Sequence, residues 1–141
     1  MSEAPDRKPR GFTLVEIMIV IVVMGMLIAI AAPAVSGFLR SSRMAGASNT
    51  LIADLHYART LATEQRTNYE IRFNASNYSI VRVSPLTTVT TRTLPQGVTC
   101  ASSGTAAFFA WGLTTPVTVT ITGTGTPKTI KLMANGLVTH G

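Results

Sequence analysis

The pattern of apolar and polar positions divides the chain into three parts, and the first is the most distinctive. Residues 12–32 are almost uniformly apolar, and Glu16 is the one charged residue among them. A helix rises about 1.5 Å per residue, so a run of this length crosses the roughly 30 Å hydrocarbon core of a bilayer. The pattern predicts a membrane-spanning helix with a carboxylate near its start. A charge inside a membrane costs a few kcal/mol, so it usually has a functional partner.

A helical period of apolar and polar positions follows from residue 34 to residue 66. Its apolar members recur every three or four residues, which places them on one stripe of a helix. They are Met44, Ala47, Leu51, Leu55, Ala58 and Ala62. Asn49 and Glu64 fall on the far side, so we predict an amphipathic helix whose stripe packs on a sheet or another helix. It either continues the apolar run as one helix of about 50 residues or begins afresh after Pro33 and Gly37.

After Thr67 the period changes from helical to alternating, which is typical of strands. Residues 69–73 and 78–84 predict a hairpin around a turn at 74–77. Residues 100–105 are expected to form a loop. Further strands are expected within residues 86–94, 107–112, 117–122, 129–133 and 137–140, with Asn135-Gly136 as the strongest hairpin signal.

The segment 107–112 carries three of the aromatic residues of the chain, Phe108, Phe109 and Trp111. Packing in the core is the expected role. An alternating strand would turn Phe109 and Trp111 to one face and Phe108 to the other. A stacking platform for nucleic acid is the alternative interpretation of the same residues.

Charge changes this picture in two ways. The formal net charge is +6, but the basic residues are scattered, which favours a solvated surface with weak attraction to anionic lipid headgroups or polyanions. Residues 1–11 form a basic leader. By the positive-inside rule, the leader stays in the cytoplasm and the chain after Pro33 lies outside the inner membrane.

The residues that could carry chemistry are few. Cys100 is the only cysteine, so no intrachain disulfide forms, and a buried, inert thiol is expected. His56 lies two residues from Asp54, a spacing that does not share a helix face. No motif for a catalytic triad, a zinc site or a nucleotide is present. We therefore expect no enzyme activity, no cofactor, no metal and no small-molecule substrate.

The sequence RGFTLVEIMIVIVVMGMLIAIAAP at residues 10–33 resembles the class III signal of type IV pilins and type II secretion pseudopilins. The resemblance implies that a prepilin peptidase cuts between Gly11 and Phe12 and methylates the new amino group of Phe12. It further implies that Glu16 meets the N-terminal amine of a neighbouring subunit during filament assembly. Gly25 and Pro33 match positions where pilin helices loosen in filaments. A carboxylate without a partner in its own chain needs an opposite charge from outside, which agrees with this role.

Two ordinary interpretations of the same segment remain. One is a secretory signal peptide, with a basic start and a small-residue cleavage site at residues 29–31. The other is a plain membrane anchor. The apolar run is longer than that of a signal peptide, and neither interpretation requires Glu16.

A second resemblance covers residues 44–138. The segments NTLIADLHYARTLATEQRTNYEIRF and AFFAWG…VTVTI…KTIKLMANGLV are similar to the GspH/FimT group of minor pseudopilins and minor pilins. Some members of that group bind DNA through a C-terminal turn with two arginines. The matching turn here is Gly136-Leu137-Val138-Thr139, which has neither arginine, so the resemblance argues against nucleic acid as a partner.

The fold expected from these patterns is α+β and pilin-like, with a long N-terminal helix packed on an antiparallel β-sheet. The expected parts are a removed leader at 1–11, a transmembrane or filament-core helix at 12–33, an amphipathic helix at 34–66 and a β-rich part at 67–141. The resemblance implies a minor pseudopilin of a type II secretion system, anchored in the inner membrane, with other pseudopilins and the prepilin peptidase as partners. The alternatives are a minor pilin of a type IV pilus and an anchored or secreted binding module unrelated to filaments.

Overall fold

The structure, a computed structural model, describes residues 11–123 and 125–141, except for the side chains of residues 33 and 34. The leader expected at 1–11 therefore lies outside the described residues apart from Gly11. The chain divides into two compact units, one up to Gly37 and one from Phe38 to Gly141.

A single helix, α1 (Leu14–Glu64, 51 residues), runs through both units. Thr13 precedes it as the N-cap, because its Oγ1 accepts a hydrogen bond from the N–H of Glu16 at 3.2 Å. The helix continues through Pro33 and Gly37. The prediction of one continuous helix is confirmed, and the alternative of two separate helices is wrong. The helix ends where Arg66 adopts a positive φ of 48°.

In the described residues after the helix, eight strands form two antiparallel sheets of four strands each. The first sheet has the order β3-β2-β1-β5 and the second the order β4-β6-β7-β8. The strands are β1 (Tyr69–Phe73), β2 (Asn77–Arg82), β3 (Thr87–Thr93), β4 (Thr99–Ser102), β5 (Ala106–Phe108), β6 (Val117–Thr122), β7 (Lys128–Leu132) and β8 (Val138–His140). The predicted hairpin is confirmed as β1 and β2, in which Ile71 lies opposite Ile80.

The loop expected at residues 100–105 is wrong for its first half. Thr99–Ser102 forms β4, which pairs with β6 so that Cys100 lies opposite Ile121. Small and polar residues dominate this segment, so its sequence alone shows little strand preference. The strand forms because β6 offers a ladder of hydrogen bonds and because Cys100 buries its side chain in the core.

The core lies between the second half of α1, from Met44 to Ala62, and the inner faces of both sheets. All six residues of the predicted apolar stripe of α1 are buried, whereas Asn49 and Glu64 are exposed. The stripe packs against large side chains of both sheets. These include Tyr69, Ile71, Tyr78, Ile80, Phe108, Val119, Ile121 and Ile130. The expected fold class, a long N-terminal helix packed on antiparallel strands, is confirmed.

The aromatic segment is only partly in the core. Phe108 is fully buried at the end of β5, as expected. Trp111 is 68% exposed, and its ring stacks on Phe109 at a centroid distance of 5.0 Å and an interplanar angle of 3°. The expectation of a buried Trp111 is therefore wrong. The strand stops at Phe108, and a tight turn, closed by a hydrogen bond from Gly112 N to Phe109 O, carries Trp111 outward.

Candidate functional site at the N-terminus

The predicted processing site precedes the helix. Gly11, Phe12 and Thr13 are exposed and have no regular secondary structure, and Leu14 starts α1. Phe12 is 78% exposed. The peptide bond between Gly11 and Phe12 thus lies outside the hydrogen-bond ladder of the helix.

Glu16 occupies the first turn of α1. Its spacing from Thr13 is that of a capping box, Thr-x-x-Glu, and Thr13 supplies the cap to the backbone of Glu16. An acid in the first turn also interacts favourably with the helix dipole, by about 0.3–1 kcal/mol at a water-exposed site. Within the described part of the chain, no basic side chain forms an ion pair with Glu16. Local capping therefore explains why an acid lies at the start of a helix. Capping does not offset the free energy needed to place a charged carboxylate in hydrocarbon.

The helix beyond Glu16 is apolar on every side. Side chains from Phe12 to Ala32 are exposed, and nothing in the described chain covers them. Among the described residues, α1 is the one helix that is long and apolar enough to cross a membrane. Gly25 lies within this stretch, and a Cβ placed on it would have no neighbour within 4 Å. A helix of this kind needs lipid or other helices around it.

The sequence did not indicate a buried polar group in the second unit, Phe38–Gly141, which we call the globular unit. Asp54 lies on the packed side of α1 and accepts a hydrogen bond from the Tyr78 hydroxyl at 2.7 Å. Arg92 reaches the same carboxylate oxygen through Nε at 3.3 Å. Burial, and then the hydrogen bond to Asp54, raise the pKa of Tyr78 above its ordinary value. These contacts hold α1 against β2 and β3, so we assign Asp54, Tyr78 and Arg92 a structural role.

The remaining candidates for chemistry lie apart from one another. Cys100 is buried, and its thiol lies 2.9 Å from the carbonyl oxygen of Asn74. Burial raises the pKa of the Cys100 thiol, which disfavours the reactive thiolate. His56 is exposed while Asp54 is buried, so the two do not share a face. Residues 11–123 and 125–141 contain no cluster of three or more His, Cys, Asp or Glu side chains with metal-binding geometry.

An arginine from α1 packs against the C-terminal turn, which has no basic residue of its own. Gly136 has a φ of +81°, and a Cβ placed on it would lie 2.6 Å from Cζ of Arg59. The Arg59 guanidinium thus comes from α1 and packs on the β7–β8 turn. This contact joins residues far apart in the chain, so no local pattern signals it.

Comparisons with known proteins agree with these features. Residues 6–32 match the model of the prokaryotic N-terminal methylation motif. No curated protein sequence matches the chain. Among solved structures, the chain is similar to the minor pseudopilin EpsH from the type II secretion system of Vibrio cholerae, with a TM-score of 0.61 and 12% identity over 72% of this chain and 94% of that one. It is similarly close to the type IV minor pilin FimU of Pseudomonas aeruginosa, with a TM-score of 0.60 and 20% identity over 70% of this chain and 88% of that one.

At these identities the likeness shows a shared fold. The methylation motif at residues 6–32 is an independent observation from the sequence. The chain thus combines the prokaryotic N-terminal methylation motif and an apolar N-terminal helix with the fold of a minor pseudopilin and a minor pilin.

Proposed function

We propose that the chain is a minor pseudopilin, a structural subunit that joins the pseudopilus of a type II secretion system through the apolar half of α1. The observation that carries this proposal is an exposed apolar helix with one acid in its first turn, within the segment that matches the methylation motif. A filament buries such helices side by side, and a membrane holds them before assembly. The expected location is the inner membrane, with the leader in the cytoplasm and the globular unit on the other side.

Processing would precede assembly. We infer that the prepilin peptidase cuts between Gly11 and Phe12 and that the amino group of Phe12 is then methylated. The exposed, non-helical backbone of residues 11–13 supports access to this bond. The test is the intact mass of the protein purified from its native membrane. A mass for N-methylated Phe12–Gly141 is expected. A mass that starts at Met1, or after Ala31, would contradict the proposal and favour a plain anchor or a secretory signal.

Glu16 would bind the α-amine of a neighbouring subunit. The carboxylate has no ion pair in the described chain, and a free amine at Phe12 of another subunit supplies the missing charge. We expect Glu16→Ala to be inserted and processed normally but to be missing from sheared filaments. Glu64→Ala is the matched control, because it removes an exposed acid from the other end of α1. Normal incorporation of the Glu16 variant would refute this role.

The second candidate is a minor pilin of a type IV pilus, in motility, adhesion or DNA uptake. The observation in its favour is the identity to FimU, 20% against 12% for EpsH. Deletion of the gene separates the two functions. Loss of exoproteins from the medium, with their accumulation in the envelope, is expected for the secretion role. Intact secretion with reduced twitching or DNA uptake would establish the pilus role instead.

A structural rather than catalytic role agrees with the site. The titratable side chains of the globular unit are spread over the surface or tied into the contacts between α1 and the strands. The other pilin-like subunits and the prepilin peptidase are the partners that this role requires. A wild-type secretion and pilus phenotype, with a mass that excludes cleavage after Gly11, would favour a binding module unrelated to filaments.

A further inference from the structure

A groove of about 260 Å³ lies in the globular unit between α1 and the end of β3. Its lining is mainly apolar and includes Ala47, Leu94 and Pro95. Gly46 forms part of the helix wall, and a Cβ placed on it would have no neighbour within 4 Å. Glycine in a helix interior costs about 1 kcal/mol relative to alanine, and here it leaves the groove open.

The strand beside this groove has a free edge. β3 is the outermost strand of the first sheet, and no described strand pairs with its outer side. Leu94 donates its N–H to the carbonyl of Ser76 at 2.9 Å, next to the point where Thr93 lies opposite Asn77. Since these groups alternate along an antiparallel strand, the N–H and C=O of Thr93 and Thr91 point away from β2. They form a template for one more strand.

The edge carries little of the usual protection, and its one irregularity is a register shift opposite Ile80 and Val81, away from the groove end of the strand. Six of the seven residues of β3 are exposed, and none is lysine or proline. Its only charged residue, Arg92, turns towards α1, where it bonds Asp54. Protected edges commonly carry lysine, proline or a covering element. This edge is therefore open to pairing with another polypeptide.

The charges around the groove are positive. Arg43 and Arg92 both line it, and no acid does. Arg43 forms no ion pair within the described chain, and Arg92 is half-exposed with only Nε engaged by Asp54. Arg43 also borders a neighbouring groove that contains Arg40. A carboxylate on the occupant would form favourable hydrogen bonds with the guanidinium groups of Arg43 and Arg92.

We propose that the free edge of β3 and the adjoining groove bind an extended peptide segment of a partner protein, which adds to the sheet as a fifth strand. The segment carries apolar side chains and a carboxylate at alternate positions. Residues two apart in a strand point to the same face, so the apolar groups enter the groove over Ala47 and Leu94 while the carboxylate meets Arg43. This interaction goes beyond assembly through the helix, because it uses only the globular unit.

A second copy of the chain fits this surface poorly. Pairing of β3 with β3 of another copy would bring a second Arg92 towards an already basic groove. Like charges across a strand pair are destabilising. The charge pattern therefore favours a partner with an acidic strand.

The test uses the full-length chain in detergent micelles and a fluorescein-labelled peptide, Thr-Leu-Thr-Glu-Thr-Leu-Thr. Fluorescence anisotropy is expected to show saturable binding. A peptide with lysine in place of glutamate tests charge, and one with proline in place of the two central threonines tests the main-chain pairing. Both control peptides are expected to bind at least tenfold more weakly. Absence of binding, or equal binding of all three peptides, would overturn the proposal.

Matched variants locate the binding. Gly46→Leu fills the groove and Arg43→Glu reverses its charge, so each is expected to weaken binding at least tenfold. Arg72→Ala, which removes an exposed arginine that does not line the groove, is the control and is expected to leave affinity unchanged. Circular dichroism verifies that each variant is folded, and Arg43→Glu remains informative should the leucine disturb the helix. Unchanged affinity in both test variants would refute the site. Disulfide-linked dimers of a Thr91→Cys variant, in place of peptide binding, would identify a second copy as the occupant and would also refute it.

Discussion

Gly136 shows at the level of one residue why the C-terminal turn has its composition. Its φ of +81° lies in the left-handed region, and the Arg59 guanidinium occupies the space that a Cβ would need. The positive φ was expected from the Asn135-Gly136 hairpin signal. The contact with Arg59 was not expected, because Arg59 lies far away in the sequence, in α1.

Gly136→Ala is expected to lower the free energy of unfolding by about 1–3 kcal/mol, through backbone strain and displacement of Arg59. Urea unfolding followed by circular dichroism measures the change. The double variant with Arg59→Ala relieves the contact and leaves the strain, so it separates the two causes. Gly46→Ala is the control, because this position is helical and open, and it is expected to be stabilising by up to about 1 kcal/mol. Equal stability of Gly136→Ala and wild type would contradict the geometry of the turn.

Tyr78 links stability to alkaline pH. Burial and the hydrogen bond to Asp54 raise its pKa above the ordinary value of 10.0. A group whose pKa is raised on folding contributes stability that is present below the unfolded pKa and is lost as pH rises above it. We expect the free energy of unfolding to fall as pH rises above about 10.

The Tyr78→Phe variant should show a shallower decline above this pH, since it has no hydroxyl to ionise. At neutral pH it should be less stable by about 1–3 kcal/mol, because a buried carboxylate loses one hydrogen bond. The measurement is urea unfolding at a series of pH values from 7 upward. Parallel pH curves for the variant and wild type would show that Tyr78 does not cause the alkaline loss.

The elements differ in how far their own sequences determine them. The stripe of α1 has a period that no strand can satisfy, so both the helix and its buried face follow from local pattern. Strands β1, β6 and β7 alternate cleanly and were predicted, and β2 was predicted as the second strand of a hairpin. β4 was missed because its sequence has no alternation and depends on pairing with β6.

The α1 stripe gives a direct test of this packing. Leu51 is fully buried, so Leu51→Ala is expected to cost about 2–5 kcal/mol through lost apolar burial and a new cavity. Asn49→Ala, two residues away on the exposed side, is expected to change stability by less than about 0.5 kcal/mol. Chemical unfolding of the two variants measures both values. Similar losses for both would mean that the helix presents a different face to the strands.

The molecule as a whole contains two compact units that differ in whether they bury their own apolar side chains. Every member of the buried hydrophobic cluster lies at or beyond Met44, whereas the apolar half of α1 is exposed in the described chain. The first unit therefore needs lipid or other helices, and the second unit supplies its own core.

A fragment of residues 38–141 is expected to fold in water without detergent, because it contains the whole hydrophobic cluster. Circular dichroism should show both helix and strand, and its urea unfolding should be cooperative. Leu51→Ala in the fragment should lose about the same free energy as in the full chain, which verifies that the same core has formed. An unfolded or aggregated fragment would show that the globular unit depends on the apolar half of the helix.

The sequence by itself determined the long apolar run with Glu16, the amphipathic half of the helix and most of the strands. Each of these depends on a local period or on a segment long enough to match a bilayer, which neighbouring residues alone define. The cleavage site and the role of Glu16 stay predictions. They come from the family resemblance, and testing them requires the neighbouring subunit and the processing enzyme.

Only the tertiary structure decided the division into two sheets, the strand at Cys100, the exposed Trp111, and the contacts of Arg59 with Gly136 and of Arg92 with Asp54. All of these except the exposed Trp111 join segments that are distant along the chain. A side chain's burial and partners depend on what packs against it, and that is a property of the whole fold.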